Sequence, residues 1–337
     1  MEVSSNSQAL PTEAEIIATW RDPQKIDVSV LCPTYNHCAY VEYALRGFLL
    51  QSGSCSFEIL VHDDASTDGT AQIIRDYQQR YPNIIRATLQ VENQFSKGGF
   101  RPAFFLASQA RGRYLALCEG DDSWVDTHKL QRQVAALDQR PSINLCVHDA
   151  YCLDDSGAPS SYTFLERGSG ECLLRYRDIF RCHGQFAPTS SFFLRSEYMQ
   201  NPPEFIYSAP IGDFFIEVFA GSGGVWYLPE KMSVYRRAVP GSWSAEITVD
   251  HLRSITFDSS FLASLAELES YLPDDLAPLV GYKRVDVLAS LGLRHAALGQ
   301  LGTALRYAVL CLREKPFYFR SWVMPWRVLR RWALRGR

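Results

Sequence analysis

Apolar and polar positions alternate in blocks along the first 140 residues. Four short apolar runs stand out: Val28-Ser29-Val30-Leu31-Cys32, Phe57-Glu58-Ile59-Leu60-Val61, Ile84 to Leu89, and Tyr114-Leu115-Ala116-Leu117-Cys118. Each is too short for a helix and apolar enough to be buried on both faces, so each predicts a strand. Between them the spacing changes. Residues 39–51 place Val41, Leu45, Phe48 and Leu49 on one helical face. The segment His62 to Thr70 reads as a turn leading to a helix cap, with the helix running to about Arg80. Residues 102–111 and 126–139 predict two more helices. This strand–helix alternation predicts an α/β fold, a mostly parallel sheet with helices on both faces.

Ligands of such sheets bind beyond the carboxyl ends of the strands. Three of the predicted strands end in polar clusters: Pro33-Thr34-Tyr35-Asn36, Asp63-Asp64, and Glu119-Gly120-Asp121-Asp122. They are expected to converge on one crevice. The last cluster puts three carboxylates within four residues. Carboxylates so crowded do not all stay ionised without a cation nearby. Hard divalent ions take oxygen ligands and are commonly held by one or two carboxylates plus substrate phosphates. The expectation is a platform for a metal-bound diphosphate.

From 143 to 245 the pattern loosens. Strands are predicted at Asn144 to Leu153, Ser190 to Leu194, Val225 to Leu228 and Met232 to Tyr235, with a helix from Ile211 to Ala220 and a polar loop at 154–171. Beyond about 246 the chain reads as helical, with a hairpin of helices at 274–298 and 303–314. Three regions follow: an arm at 1–25, a main domain at 26–245 and a helical region at 246–337.

The net charge of −3 gives no reason to expect nucleic acid as a partner. Nine cysteines form no CxxC pair and several sit in apolar runs, which predicts buried free thiols in a reducing compartment. Residues 1–11 lack the charged start and apolar core of a signal peptide, and no apolar run nears the roughly 20 residues of a spanning helix. A cytoplasmic location is expected. The tail departs from the average. Arg313 to Arg337 holds eight basic residues and one acidic, with Trp322, Trp326 and Trp332 among them. That pattern fits an interfacial membrane helix or a packed helix with a solvated basic face, and the sequence does not separate the two.

Three segments taken together resemble the inverting glycosyltransferases of family 2: Val28 to Asn36, Val61 to Thr70, and Leu117 to Trp124 followed by Lys129-Leu130. The resemblance covers roughly residues 27–240. It implies the GT-A fold, Rossmann-like, here with a C-terminal helical extension. It implies transfer of a sugar from a nucleotide-diphosphate sugar, a UDP-sugar being the expected donor, to an acceptor hydroxyl with inversion. By position, Pro33, Thr34, Tyr35, Asn36, Asp64, Glu119 and Gly120 would line the nucleotide pocket, with Asp64 accepting from the base. Asp121 would ligate Mn²⁺ or Mg²⁺. Glu119 stands where the family commonly has Asp. The family's general base falls on Asp213 in Ile211-Gly212-Asp213-Phe214-Phe215, where Gly replaces the usual Glu; a bare helix cap is the alternative for that aspartate. Asp122, Arg236, Arg237 and Trp243 are candidates for phosphate or acceptor contacts. Gln185 to Ser191 either lines the acceptor side or caps a strand. Trp124 is expected in the core and His62 in a structural role.

The acceptor implied is a glycan or lipid-linked glycan of a bacterial surface polysaccharide, capsule or O-antigen, with the tail touching the inner face of the cell membrane. Two rivals are a nucleotidyltransferase and a non-catalytic nucleotide-binding protein. The first lacks the Gly-rich basic loop expected after strand one. The second leaves Asp64, Asp121, Asp122 and Asp213 without a purpose.

Overall fold

A computed structural model describes residues 8–154, 156–165, 168–237 and 250–334. Among the described residues nine strands form one sheet: β1 (Val28–Thr34), β2 (Phe57–Asp63), β3 (Ile85–Leu89), β4 (Tyr114–Leu117), β5 (Ser123–Trp124), β6 (Leu145–Leu153), β7 (Cys172–Leu174), β8 (Phe193–Arg195) and β9 (Val225–Arg236). The helices are α1 (Glu13–Ala18), α2 (Val41–Leu49), α3 (Thr70–Arg80), α4 (Pro102–Ser108), α5 (Lys129–Asp138), α6 (Tyr176–Arg181), α7 (Glu197–Gln200), α8 (Asp213–Ala220), α9 (His251–Tyr271), α10 (Val280–Ala297), α11 (Leu301–Glu314) and α12 (Phe319–Ala333). The sheet order is β3-β2-β1-β4-β8-β6-β9-β5, with β7 also on β9. The pairs among β1 to β4 are parallel. Antiparallel β8 joins β4 to β6.

The chain divides into two compact units. One comprises Met1–Tyr176, Gln185–Tyr207 and Gly212–Gly241; the other comprises Arg177–Gly184, Ser208–Ile211 and Ser242–Arg337. In the first, β1 and β2 are buried along nearly their whole length, as strands sandwiched between helices must be. Phe48 and Leu49 of α2, Ile74 of α3 and Leu130 of α5 join that core. Trp124 is buried in it, edge-on to Phe48 with centroids 4.6 Å apart, and its indole N–H donates to the Ser190 carbonyl at 3.0 Å. His62 is also buried, beside the rings of Phe100 and Phe105.

Two expectations need correction. Val225 to Leu228 and Met232 to Tyr235 are one strand, β9, carried past Pro229 by register shifts opposite His148 and Asp149. A proline has no N–H to give the ladder, and a bulge absorbs that loss. Residues 189–191 form a 3₁₀ turn and not the start of a strand. The turn brings the Ser190 and Ser191 carbonyls to Trp124 and to Gln133, whose amide donates to Ser191 at 2.9 Å.

The second unit buries Val285, Leu288, Ala304, Ala308, Cys311, Met324 and Val328 among α10, α11 and α12. Asp250 caps α9 by accepting from the N–H groups of Leu252 and Arg253. Arg284 bridges Glu269 and Glu314, and the buried Lys283 donates to the carbonyls of Cys182 and Gly184. No helix among the described residues is long and apolar enough to cross a membrane. All nine cysteines are free and six are buried.

Candidate active site

The loop after β4 is fixed from both ends. Cys118 N–H donates to Leu31 at 3.1 Å and Gly120 N–H to Pro33 at 3.0 Å, which extends the strand pairing into the loop. Beyond it, Ser123 and Trp124 pair with β9. The carboxylates between these anchors have little freedom. Gly120 is glycine for a steric reason: a Cβ there would lie 2.7 Å from Thr34 Oγ1 and 2.8 Å from Thr34 Cβ. Gly120→Ala is therefore expected to lower stability by about 1–3 kcal/mol, the usual cost of forcing an atom into filled space, read as a lower denaturant midpoint.

The first polar cluster, which follows β1, is woven into the loop after β2. Asn36 has φ +55°, a conformation asparagine tolerates better than most residues. Its N–H donates to Ser66 Oγ at 2.8 Å and its side-chain oxygen accepts from Thr67 N–H at 2.9 Å. Asp68 accepts from Cys38 N–H and from both donors of Thr70. Partial burial works against the Asp68 charge, but these hydrogen bonds outweigh it and hold its pKa near about 2. Thr34 is buried with its side chain facing Gly120, and its carbonyl accepts from Asp64 N–H at 3.1 Å. Tyr35 is exposed. Asp64 is buried, and its two oxygens accept from the N–H groups of Gln94 and Phe95 at 2.8 and 3.0 Å. Each oxygen keeps a second acceptor position for a ligand.

Charges of neighbouring carboxylates act on Glu119 and on Asp122. Burial, followed by the charges of Asp213, Asp121 and Asp122, pushes the Glu119 carboxyl well above its ordinary range. Burial and then Asp121 do the same to Asp122, against the pull of Arg236 and Ser190. Burial raises Asp213, and a hydrogen bond from Thr189 opposes the rise. Glu119, Asp121 and Asp213 each keep partial exposure, whereas Asp122 is buried. Asp122 accepts from Arg236 N–H at 3.0 Å, and the Arg236 guanidinium donates to the Asp121 carbonyl at 2.7 Å while lying over Tyr40 and Tyr43. Arg237 lies over the Tyr162 ring at 4.0 Å. Trp243 falls outside the described residues.

Asp213 opens α8, but the cap position belongs to Gly212 and no side chain caps the helix. The Asp213 carboxylate instead accepts from the Thr189 hydroxyl at 3.3 Å, and that hydroxyl accepts from Gln185 Nε2 at 2.8 Å. Thr189, Ser190 and Gln185 thus belong to the site through the 185–191 segment, whose side-chain directions no spacing rule reveals. His37 is a further addition. Its Nε2 stands 3.8 Å from Asp121, and its only sequence signal is adjacency to Asn36. Tyr235 joins as well: burial and then the charges of Asp122, Glu119, Asp213 and Asp121 push its phenol up.

Among the described residues no three His, Cys, Asp or Glu side chains stand as a complete metal-binding group. The donor chemistry nonetheless suits a hard cation that shares its coordination with a ligand. Among the described residues, the Arg236 guanidinium and the His37 ring bring nitrogen groups beside the acidic loop.

A mixed sheet whose parallel half carries an acidic loop after β4, together with covering helices and a helical C-terminal region, defines a GT-A-type α/β protein. The model of Glycosyl transferase family 2 matches residues 29–238, and the chain belongs to that family. An uncharacterized protein of Mycobacterium tuberculosis is 35% identical over 228 residues, covering 66% of this chain and 62% of its own length. The chain therefore spans less than two thirds of that relative. The poly(ribitol-phosphate) beta-N-acetylglucosaminyltransferase TarS of Staphylococcus aureus is 26% identical over 61% of this chain and 35% of its own. The crystal structure of TarS 1–349 with UDP-GlcNAc superposes with a TM-score of 0.65 at 16% identity, over 91% of this chain and 89% of that one. The mannosyltransferase PcManGT of Pyrobaculum calidifontis, in complex with GDP-Man and Mn²⁺, gives 0.52 at 17% identity over 98% and 91%.

Proposed function

We propose that the chain is an inverting glycosyltransferase that moves a sugar from a UDP-sugar to an acceptor hydroxyl during synthesis of a bacterial surface polysaccharide. The observation that carries this reading is the acidic loop Glu119-Gly120-Asp121-Asp122 beyond β4, pinned by Gly120 N–H to the Pro33 carbonyl and by Arg236 to Asp122 and the Asp121 carbonyl. Asp64, with Pro33, Thr34, Tyr35 and Asn36, receives the nucleotide; Glu119 and Gly120 border it. A divalent ion, Mn²⁺ or Mg²⁺, held by Asp121 together with the donor's phosphates would neutralise charge on the departing diphosphate. Asp213 takes the proton of the acceptor hydroxyl as that oxygen bonds to the anomeric carbon and the bond to the diphosphate breaks. A single displacement of this kind inverts the anomeric centre. Thr189, itself held by Gln185, fixes one oxygen of the base. Arg236 holds the acidic loop through the Asp121 carbonyl and keeps Asp122 in place.

Two relatives support the polymer class. TarS is named for poly(ribitol phosphate), and a Bacillus subtilis relative, 32% identical over 144 residues, for teichuronic acid. A glycan or lipid-linked glycan acceptor fits both. The test is a screen of nucleotide sugars with Mn²⁺ or Mg²⁺, scored by released nucleoside diphosphate. Release from one UDP-sugar above the rest is expected. No release from any donor, with or without glycan acceptors, would overturn the reading.

A further inference from the structure

The Trp- and Arg-rich tail folds as α12, and the helix has two apolar faces. Met324 and Val328, with Ser321, lie on the buried side, and Trp332 packs against the same core. The opposite side carries Phe319, Trp322, Trp326, Leu329 and Ala333, which recur at spacings of three and four and so share a stripe. That stripe is open to solvent: Phe319 is 75% exposed, Trp322 62% and Trp326 76%, and Phe317 just before the helix is 100% exposed. Solvated single apolar residues are ordinary, but a row of four large aromatics is not. Arg327, Arg330 and Arg331 flank the stripe, exposed, and form no ion pair among the described residues. No acidic residue occurs between Lys315 and Arg337.

We infer that the outer face of α12 docks this chain on an anionic lipid bilayer. Indole rings favour the boundary between headgroups and acyl chains, and guanidinium groups beside them meet lipid phosphates. A helix already packed on one side lies flat on such a surface and does not enter it. Charge chooses this occupant over another copy of the chain: two copies meeting face to face would bring like charges together, whereas an anionic surface complements a tail of net +7 on a chain of net −3. The inference stands independently of the transferase reading, although a lipid-linked acceptor would be met at the same surface.

The test is cosedimentation of the full chain with vesicles of phosphatidylcholine, with and without phosphatidylglycerol. Binding is expected to the mixed vesicles and to weaken as salt rises. Trp322→Ser with Trp326→Ser should lower partitioning by roughly a hundredfold. Arg327→Gln, Arg330→Gln and Arg331→Gln together should abolish the preference for phosphatidylglycerol. These side chains are exposed, so an unchanged melting temperature shows that the variants fold. Failure of the parent chain to sediment with mixed vesicles would overturn the inference, as would undiminished binding by the double tryptophan variant. A dimer in light scattering that the tryptophan variant splits, without vesicle binding, would also overturn it and assign the face to self-association.

Discussion

Replacing Asp213 by Asn is expected to leave UDP binding intact and to lower transfer by about 10²- to 10⁴-fold, the usual worth of a positioned base. Asparagine has the same shape and still accepts from the Thr189 hydroxyl, but it takes no proton. Burial holds the Asp213 pKa above its ordinary value, with the Thr189 hydrogen bond opposing. The base is therefore ionised only above the ordinary carboxylate range, and transfer should rise with pH through that raised value. The same shift fixes the sign for stability. A carboxylate raised in the folded state contributes stability below its unfolded pKa of about 4 and loses it as pH rises through the folded value. At neutral pH the variant should thus be at least as stable as the parent, which separates lost chemistry from lost fold. Wild-type turnover by the variant, measured as steady-state UDP release, would remove Asp213 from the mechanism.

The second large effect concerns Lys129, which is fully buried. Its ammonium nitrogen donates to Gln133 Oε1 at 2.6 Å and sits 4.0 Å from the Trp124 ring centroid. Burial pushes its pKa down to about 7. For a base depressed on folding, the stability contribution is complete above the unfolded value near 10.4 and is lost as pH falls through about 7. Taken alone, Lys129 should contribute about 1.5 kcal/mol more stability at pH 8.5 than at pH 7, at 1.36 kcal/mol per unit and allowing for half-protonation at pH 7. Within the same window the buried thiols of Cys32, Cys55, Cys118, Cys146, Cys152 and Cys311 oppose the trend: burial raises each pKa, so the stability they contribute fades as unfolded cysteines ionise at about 8.5. Parent and Lys129→Met share those thiols, so their stability difference should shift in the parent's favour by about 1.5 kcal/mol between pH 7 and 8.5 in urea unfolding. A difference between parent and variant that does not change across that window would show that the amine is not buried as described. The consequence reaches the site, because Gln133 also holds the Ser191 carbonyl in the turn that presents Thr189 to Asp213.

The strands that carry the acidic cluster were legible because Val28 to Cys32, Phe57 to Val61 and Tyr114 to Cys118 are buried on both faces and read as unbroken apolar runs. Strands β5 and β7 were not, since two or three residues carry no period. The split reading of β9 came from Pro229, which looks like a stop until its partner strand supplies a bulge. Asp121, Asp122 and Asp213 could be picked as candidates from residue type and motif. The partners that orient them did not: Thr189 meets Asp213 across 24 residues, and His37 meets Asp121 across 84. Such pairs exist only once the sheet order is known. The tail illustrates the reverse. Its composition raised two readings, a packed helix and an interfacial one, and the fold assigns one face of α12 to packing while leaving the other bare.

Titration calorimetry of UDP against the wild-type chain and Asp121→Ala, each with Mn²⁺ and with chelator, addresses the acidic loop most directly. Wild-type affinity should be at least about tenfold higher with Mn²⁺ than with chelator, and Asp121→Ala should bind equally weakly in both. Equal wild-type affinity in the two conditions, or a variant that keeps the full Mn²⁺ effect, would contradict a cation-bound diphosphate at this site.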